Sequence, residues 1–127
     1  IDNYAGGGWK GRKAKAVVPG GLSMGFFTAA ELDTPLDFAG PGRVQCLGLG
    51  TAAVTVIDDQ TSMVDVLHNT CQFFAHERCG QCTPGREGTG WMLKTTDRMR
   101  RGQGRKEDLD ILGAAAHRTG IMSGTLI

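Results

Sequence analysis

What this chain lacks narrows its reading before anything it contains. No stretch of its 127 residues is long and apolar enough to cross a bilayer. Nothing near Ile1 resembles a signal peptide. Neither sign of charge is in excess: 14 Lys and Arg against 13 Asp and Glu leave a net charge of +1, which argues against broad electrostatic binding to nucleic acid. No internal repeat and no low-complexity segment appears. Four cysteines, Cys46, Cys71, Cys79 and Cys82, in a chain without secretory features do not read as a disulfide framework. They read as ligands, redox groups or small core residues. A first residue of Ile rather than Met suggests a fragment or a processed piece. What is present, 40% apolar residues and 20 glycines, suits one domain or two very small ones with many turns.

The patterning divides the chain. The first 60 residues read as a glycine-punctuated β unit. Residues 15–18 form a short strand ended by the turn Pro19-Gly20-Gly21. Residues 34–38 are expected to be extended, with a turn at Gly40-Pro41-Gly42. The β-branched run 52–57 reads as a buried strand closed by Asp58-Asp59. The second half is helical. Ser62, with Asp65 three residues on, resembles a capping box. Val64, Leu67, Cys71 and Phe74 then give one apolar face up to about His76. Thr83 and Pro84 read as N-cap and first residue of a second helix, which carries Met92, Thr95 and Met99 on one side and ends at Arg101-Gly102. A third helix is expected from about Lys106 to His117, with Leu109, Leu112 and Ala116 on one stripe, and residues 118–127 as irregular. Cys46, Cys71, Trp91 and the Phe73-Phe74 pair are expected in the core. His68 and His76 are assigned to surface or packing roles.

The chemistry concentrates in the run from His76 to Gly90. Cys79 and Cys82 have the C-x-x-C spacing of a metal-ligating loop, in which two soft thiolates can face one metal centre. Gly80 lets the backbone turn sharply between them, so that amide N–H groups can point at the sulfurs. A helix opening at Thr83-Pro84 presents unpaired N–H groups and the positive end of its dipole to the same place. Both features favour anionic sulfur. Glycine stands at position 85, where a third step of the same spacing would put a cysteine. Three readings stay open on the residues alone. An iron–sulfur cluster needs two more ligands. A zinc site could recruit His76, and His117 as well, beside Cys79 and Cys82. A dithiol redox motif would want a β-α-β unit, which is missing. The bland reading is two unligated cysteines in a turn.

The segment from Phe73 to Trp91, with its core C-G-Q-C-T-P-x-R-E-G-T-G-W, resembles the cluster-binding segment of the NADH-binding flavoprotein subunit of respiratory complex I. Related subunits of NAD-linked hydrogenases and formate dehydrogenases share it. Ala5-Gly6-Gly7, the stretches 15–21, 32–38 and 49–54, and residues 102–109 are similar to that subunit in order, so the resemblance covers essentially the whole chain. It implies an α+β chain. Residues 1–58 would be an N-terminally truncated β-grasp domain of the soluble-ligand-binding type. Residues 59–127 would be an incomplete helical bundle carrying a [4Fe–4S] cluster.

In that family NADH delivers hydride to FMN, and the cluster takes single electrons from the flavin toward a quinone reductase chain. Cys79 and Cys82 match the first two cluster ligands. Gly85 occupies the third position, and the fourth ligand is expected immediately after Ile127. The resemblance places the FMN and NADH sites in a part of the subunit not contained here, and it implies no catalytic residue in this chain, so the fragment alone would be inactive. It also implies partners in the peripheral arm of complex I, above all a [2Fe–2S] subunit, with no nucleic acid and no direct membrane insertion. The location implied is the cytoplasmic side of a bacterial inner membrane. Arg86 and Glu87 would either tune the cluster's potential or form a solvated first helical turn. Gly48-Leu49-Gly50-Thr51-Ala52-Ala53 mimics a dinucleotide fingerprint but precedes a strand, and is read as a structural turn. A zinc-stabilised binding module built on His76, Cys79 and Cys82 is the competing reading.

Overall fold

A computed structural model describes residues 1–44 and 46–123, and divides them into two compact units, the first Ile1–Thr61 and the second beginning at Ser62. The architecture is α+β: a small antiparallel sheet in the first unit and three long helices in the second. Among the described residues no helix is long and apolar enough to cross a membrane.

The first unit opens with a single helical turn, α1 (Asp2–Ala5), and is built on β1 (Ala14–Val18), β2 (Phe27–Thr28) and β3 (Thr55–Asp58), in the order β2-β1-β3. Val17 pairs with Phe27 on one side and Val56 on the other, both antiparallel. Because β1 is central, residues 16–20 are buried in succession rather than alternately. Ala16, Val17, Val18, Phe27, Cys46 and Ile57 make the core.

Two expectations need correcting here. Residues 34–38, expected to be extended, bend at Thr34, Asp37 and Phe38. The Asp37 carboxylate accepts the N–H groups of Ala39, at 2.9 Å, and Gly40, giving the backbone a local partner in place of a sheet ladder. The strand expected at 52–57 begins only at Thr55, because Ala52 sits at a φ of 58° in a turn whose N–H groups are already committed. Thr51 N–H donates to Gly20 O at 3.1 Å, and Ala52 N–H to Leu49 O at 2.7 Å. A Cβ on Gly50 would lie 2.2 Å from that Gly20 oxygen, so glycine is what lets the two turns touch. The dinucleotide-like run is thus a turn that packs on Gly20-Gly21. β3 ends at Asp58, whose Oδ1 accepts from Thr61 N–H at 2.8 Å and whose Oδ2 accepts from Arg12 Nη1 at 2.7 Å.

In the second unit α2 (Met63–Glu77) starts at Ser62, whose Oγ accepts the Asp65 N–H at 3.4 Å. It packs on α3 (Thr89–Arg100), and α4 (Glu107–Ser123) packs on α3 in turn. The interior is polar. Thr96 is fully buried and donates to Met92 O at 2.9 Å while its Oγ1 lies 3.3 Å from His68 Nδ1, which gives His68 a packing role. Asp108, also fully buried, is gripped by the Arg98 guanidinium and accepts the Arg105 N–H at 2.8 Å.

α4 runs on to Ser123, well past the expected end at His117, and only residues 124–127 of the stretch expected to be irregular lie outside the described residues. A tertiary bond supports the extension: Thr119 Oγ1 reaches Pro84 O at 3.3 Å as well as Ala115 O at 2.8 Å. Phe73, Phe74, Trp91 and Leu109, which the sequence pattern puts inside, are exposed. Helical spacing puts Phe74 and Leu109 on apolar stripes, but burial is confined to other positions of them: Cys71 is covered on α2, and Leu112 is half-buried on α4.

Candidate metal centre

The cysteine loop joins α2 to α3. α2 stops where Arg78 turns extended, at φ −61° and ψ 144°. Cys79 follows, exposed, and then Gly80 at a φ of 72°, a left-handed conformation that glycine adopts at no steric cost. Cys82 is half-buried. Thr83 is already helical and makes no side-chain cap, so the expected N-cap role does not hold, while Pro84 stands at the first helical positions as expected. Arg86 N–H closes the opening turn on Cys82 O at 2.9 Å. The chain then passes through a wide π-type turn, Pro84–Gly88, before α3 becomes regular. Such turns are uncommon and concentrate at functional sites.

Side chains distant in sequence hold this turn in place. Arg78 Nη1 donates to Thr89 Oγ1 at 2.8 Å, and Thr89 Oγ1 donates to Gly85 O at 2.7 Å. The Arg78 guanidinium is thereby fixed beside the first turn of α3. Arg86 Nη1 donates to Gly80 O at 3.3 Å across the loop, and its Nε to Glu87 Oε1 at 3.2 Å. Thr119 anchors Pro84 from α4. Two guanidiniums therefore flank a loop carrying two thiols, an arrangement that suits an anionic centre. Sequence reasoning gives no role to Arg78, Thr89 or Thr119. The Thr89 hydroxyl four residues after Gly85 is the one local cue.

The other candidates fall away from the loop. His76 is exposed and its Nδ1 lies 2.8 Å from Glu77 Oε1. No group of three His, Cys, Asp or Glu side chains close enough to hold a metal occurs among the described residues, so a zinc site of His76, Cys79 and Cys82, with or without His117, is not assembled. Cys46 and Cys71 are buried, and burial pushes both thiols up from their ordinary pKa, which keeps them neutral core residues. Cys79 and Cys82 supply two thiols, and Gly85 supplies no donor. The described residues therefore do not fit a cluster held entirely by protein thiolates.

Residues 65–124 match the NADH-ubiquinone oxidoreductase-F iron-sulfur binding region, a [4Fe–4S] family. The chain as a whole is similar to the second of the NADH-quinone oxidoreductase F subunits of Rhizobium meliloti, with 43% identity over 112 residues, 88% of this chain and 26% of that protein. To the corresponding F protein of Escherichia coli K12 it is 40% identical, over 88% of this chain and 25% of that protein. It thus spans about a quarter of the length of the curated relatives it matches. Among solved structures, an NAD+-reducing [NiFe]-hydrogenase in the H2-reduced state aligns with a TM-score of 0.68 at 34% identity, over 83% of this chain and 18% of that one.

Proposed function

We propose that this chain is the iron–sulfur-binding part of an NADH-oxidising flavoprotein subunit, and that Cys79 and Cys82 are its cluster ligands. The observation that carries the reading is the placement of these two thiols. They are the exposed and half-buried cysteines of the chain, on the one loop that two arginines flank, inside the matched region. A cluster there supplies single-electron storage. This chain's residues contribute the two thiols, the Arg78 and Arg86 charges beside them, and the Thr89 and Thr119 bonds that fix the turn.

On this reading NADH and FMN bind elsewhere in the full-length subunit, and electrons go on toward quinone through a complex I peripheral arm that includes a [2Fe–2S] subunit. The protein would sit at the cytoplasmic face without inserting in the membrane. The first unit is read as part of a β-grasp domain, its order β2-β1-β3 supplying three of the strands.

The test is metal and sulfide analysis of the full-length protein purified without oxygen, with an electron paramagnetic resonance spectrum after addition of NADH. Iron with acid-labile sulfide and an NADH-induced signal are expected, and both should be lost in Cys79→Ser and Cys82→Ser. Stoichiometric zinc without sulfide overturns the reading in favour of a structural metal module.

A further inference from the structure

Resting on the reading above that Cys79 and Cys82 serve one centre, we propose that the shortfall of this loop lies in a single residue. Gly85 omits a donor that the backbone around it is arranged to hold. The loop as it stands is a two-thiol site for a thiophilic divalent cation, and a substitution at position 85 alone makes it a three-thiol site.

Steps of three residues are how one loop brings successive cysteine sulfurs onto one metal centre, and position 85 is the next step after 79 and 82. The backbone at that step is pinned. Thr89 Oγ1 donates to Gly85 O at 2.7 Å, and Arg78 Nη1 holds Thr89 Oγ1 at 2.8 Å. Arg86 N–H closes on Cys82 O at 2.9 Å. Every acceptor in these bonds except the Thr89 hydroxyl is a main-chain carbonyl, so they fix position 85 against Cys82 whatever side chain it carries.

The glycines of this stretch differ in what the backbone asks of them. Gly80 has its positive φ, and a Cβ on Gly88 would meet Thr119 Oγ1 at 2.8 Å. Gly85 has neither a positive φ nor a backbone obstacle. The one heavy atom its Cβ would approach, among the described residues, is Cys82 Sγ at 3.1 Å. That atom ends a side chain able to turn about its own χ1. The fold therefore admits a side chain at 85 and directs it toward the sulfur of Cys82.

Neighbouring groups do not supply the missing donor. Glu87 is paired with Arg86 at 3.2 Å, His76 lies against Glu77, and Cys71 is buried on α2. The turn does not require the glycine, and the glycine leaves the loop one donor short.

The experiment titrates Co(II) into the full-length protein, freed of metal, as wild type, Gly85→Cys, Gly85→Ala and Gly85→His. The readout is the sulfur-to-cobalt charge-transfer band, which grows with the number of thiolates on the ion. Gly85→Cys should give a band roughly 1.5-fold that of wild type, three sulfurs against two. Gly85→Ala adds the Cβ without a donor and should match wild type. Gly85→His offers nitrogen instead of sulfur and should tighten Co(II) binding without raising the band, which keeps a test in hand if the cysteine variant misfolds. Equal bands in wild type and Gly85→Cys, with no tightening in Gly85→His, overturn this inference and leave the proposed function standing. The expected step in the band, from a wild-type protein that is purified without iron or sulfide, overturns the proposed function and leaves the two-thiol site. No band in wild type means that Cys79 and Cys82 share no ion, and overturns both.

Discussion

In the first unit the buried side chains are Ala16, Val17, Val18, Pro19, Phe27, Pro41, Cys46 and Ile57, and in the second they are Cys71, Thr89, Thr95, Thr96 and Asp108. The sheet is held by apolar surface withdrawn from water. The helices are held largely by hydroxyls and a carboxylate whose every buried polar atom has a partner, since no unsatisfied one occurs among the described residues. The difference has a functional side. A unit that must keep a loop and a π-type turn in fixed register gains more from directional bonds than from interchangeable methyl groups. Thr89 and Thr119 are such bonds, and each ends on a carbonyl of the turn.

The sharpest way to break the comparison is to remove apolar volume from the sheet. Phe27 is buried on a strand of two residues, so its ring, more than its ladder, fastens β2 to β1. Phe27→Ala should cost about 3–4 kcal/mol through lost burial and the cavity left behind, read as lowered hydrogen-exchange protection at the Val17 and Val56 amides. A loss near that of a surface substitution, about 0.5 kcal/mol, would show that the sheet does not depend on its apolar core.

Acid should expose the polar half. Arg12 and Thr61 hold the Asp58 carboxyl down to about 2 from an ordinary 3.8. The bonds from Arg98 and Arg105 likewise lower Asp108. A carboxyl depressed in the fold stays unprotonated where the unfolded chain takes up a proton. Its contribution is therefore complete above the unfolded value and disappears as pH falls through the folded one. For Asp58 that window runs from about 4 down to about 2. Asp58→Asn should flatten the acid limb of the sheet's stability, and Asp108→Asn that of the helices. Asp108→Asn should have the larger effect at neutral pH, because Asp108 has no exposure whereas Arg12, the partner of Asp58, is half open to solvent. Melting temperature against pH for the two variants checks both statements. Equal effects would mean that burial of the carboxylate is not what distinguishes the units.

Much of this is legible in the residues. β1, α2 and α3 announce themselves by β-branched runs or helical spacing between turn signals, and the cysteine loop by its own spacing. β2 is two residues long and offers no pattern to read. The C-terminal turns of α4 rest on a bond from Thr119 to a residue 35 positions earlier, which local propensity does not register. Periodicity shows which side of α2 and α4 is apolar, but not whether anything covers it, and so it places Phe74 and Leu109 inside. At the candidate site the cysteines are visible. The bracket from Arg78 through Thr89 to the Gly85 carbonyl is not, since it depends on a widened helical turn that no residue spacing encodes.

The smallest expected effect concerns a polar bond at the edge of the second unit. Ser62 caps α2 through the Asp65 N–H, but at 3.4 Å the bond is long. Ser62→Ala should therefore fall at the low end of cap substitutions, about 0.5 kcal/mol, measured by urea unfolding of the helices. Asp65 limits the loss further, since its charge in the first turn favours the helix dipole whether or not Ser62 is present. Its pairing with Arg100 at 2.9 Å also ties the start of α2 to the end of α3. Ser62→Asp, which keeps an acceptor at the cap, should recover the loss. If Ser62→Ala instead costs as much as Phe27→Ala, the weight carried by polar bonds extends to the exposed helix ends and is not a property of the buried threonines and Asp108 alone.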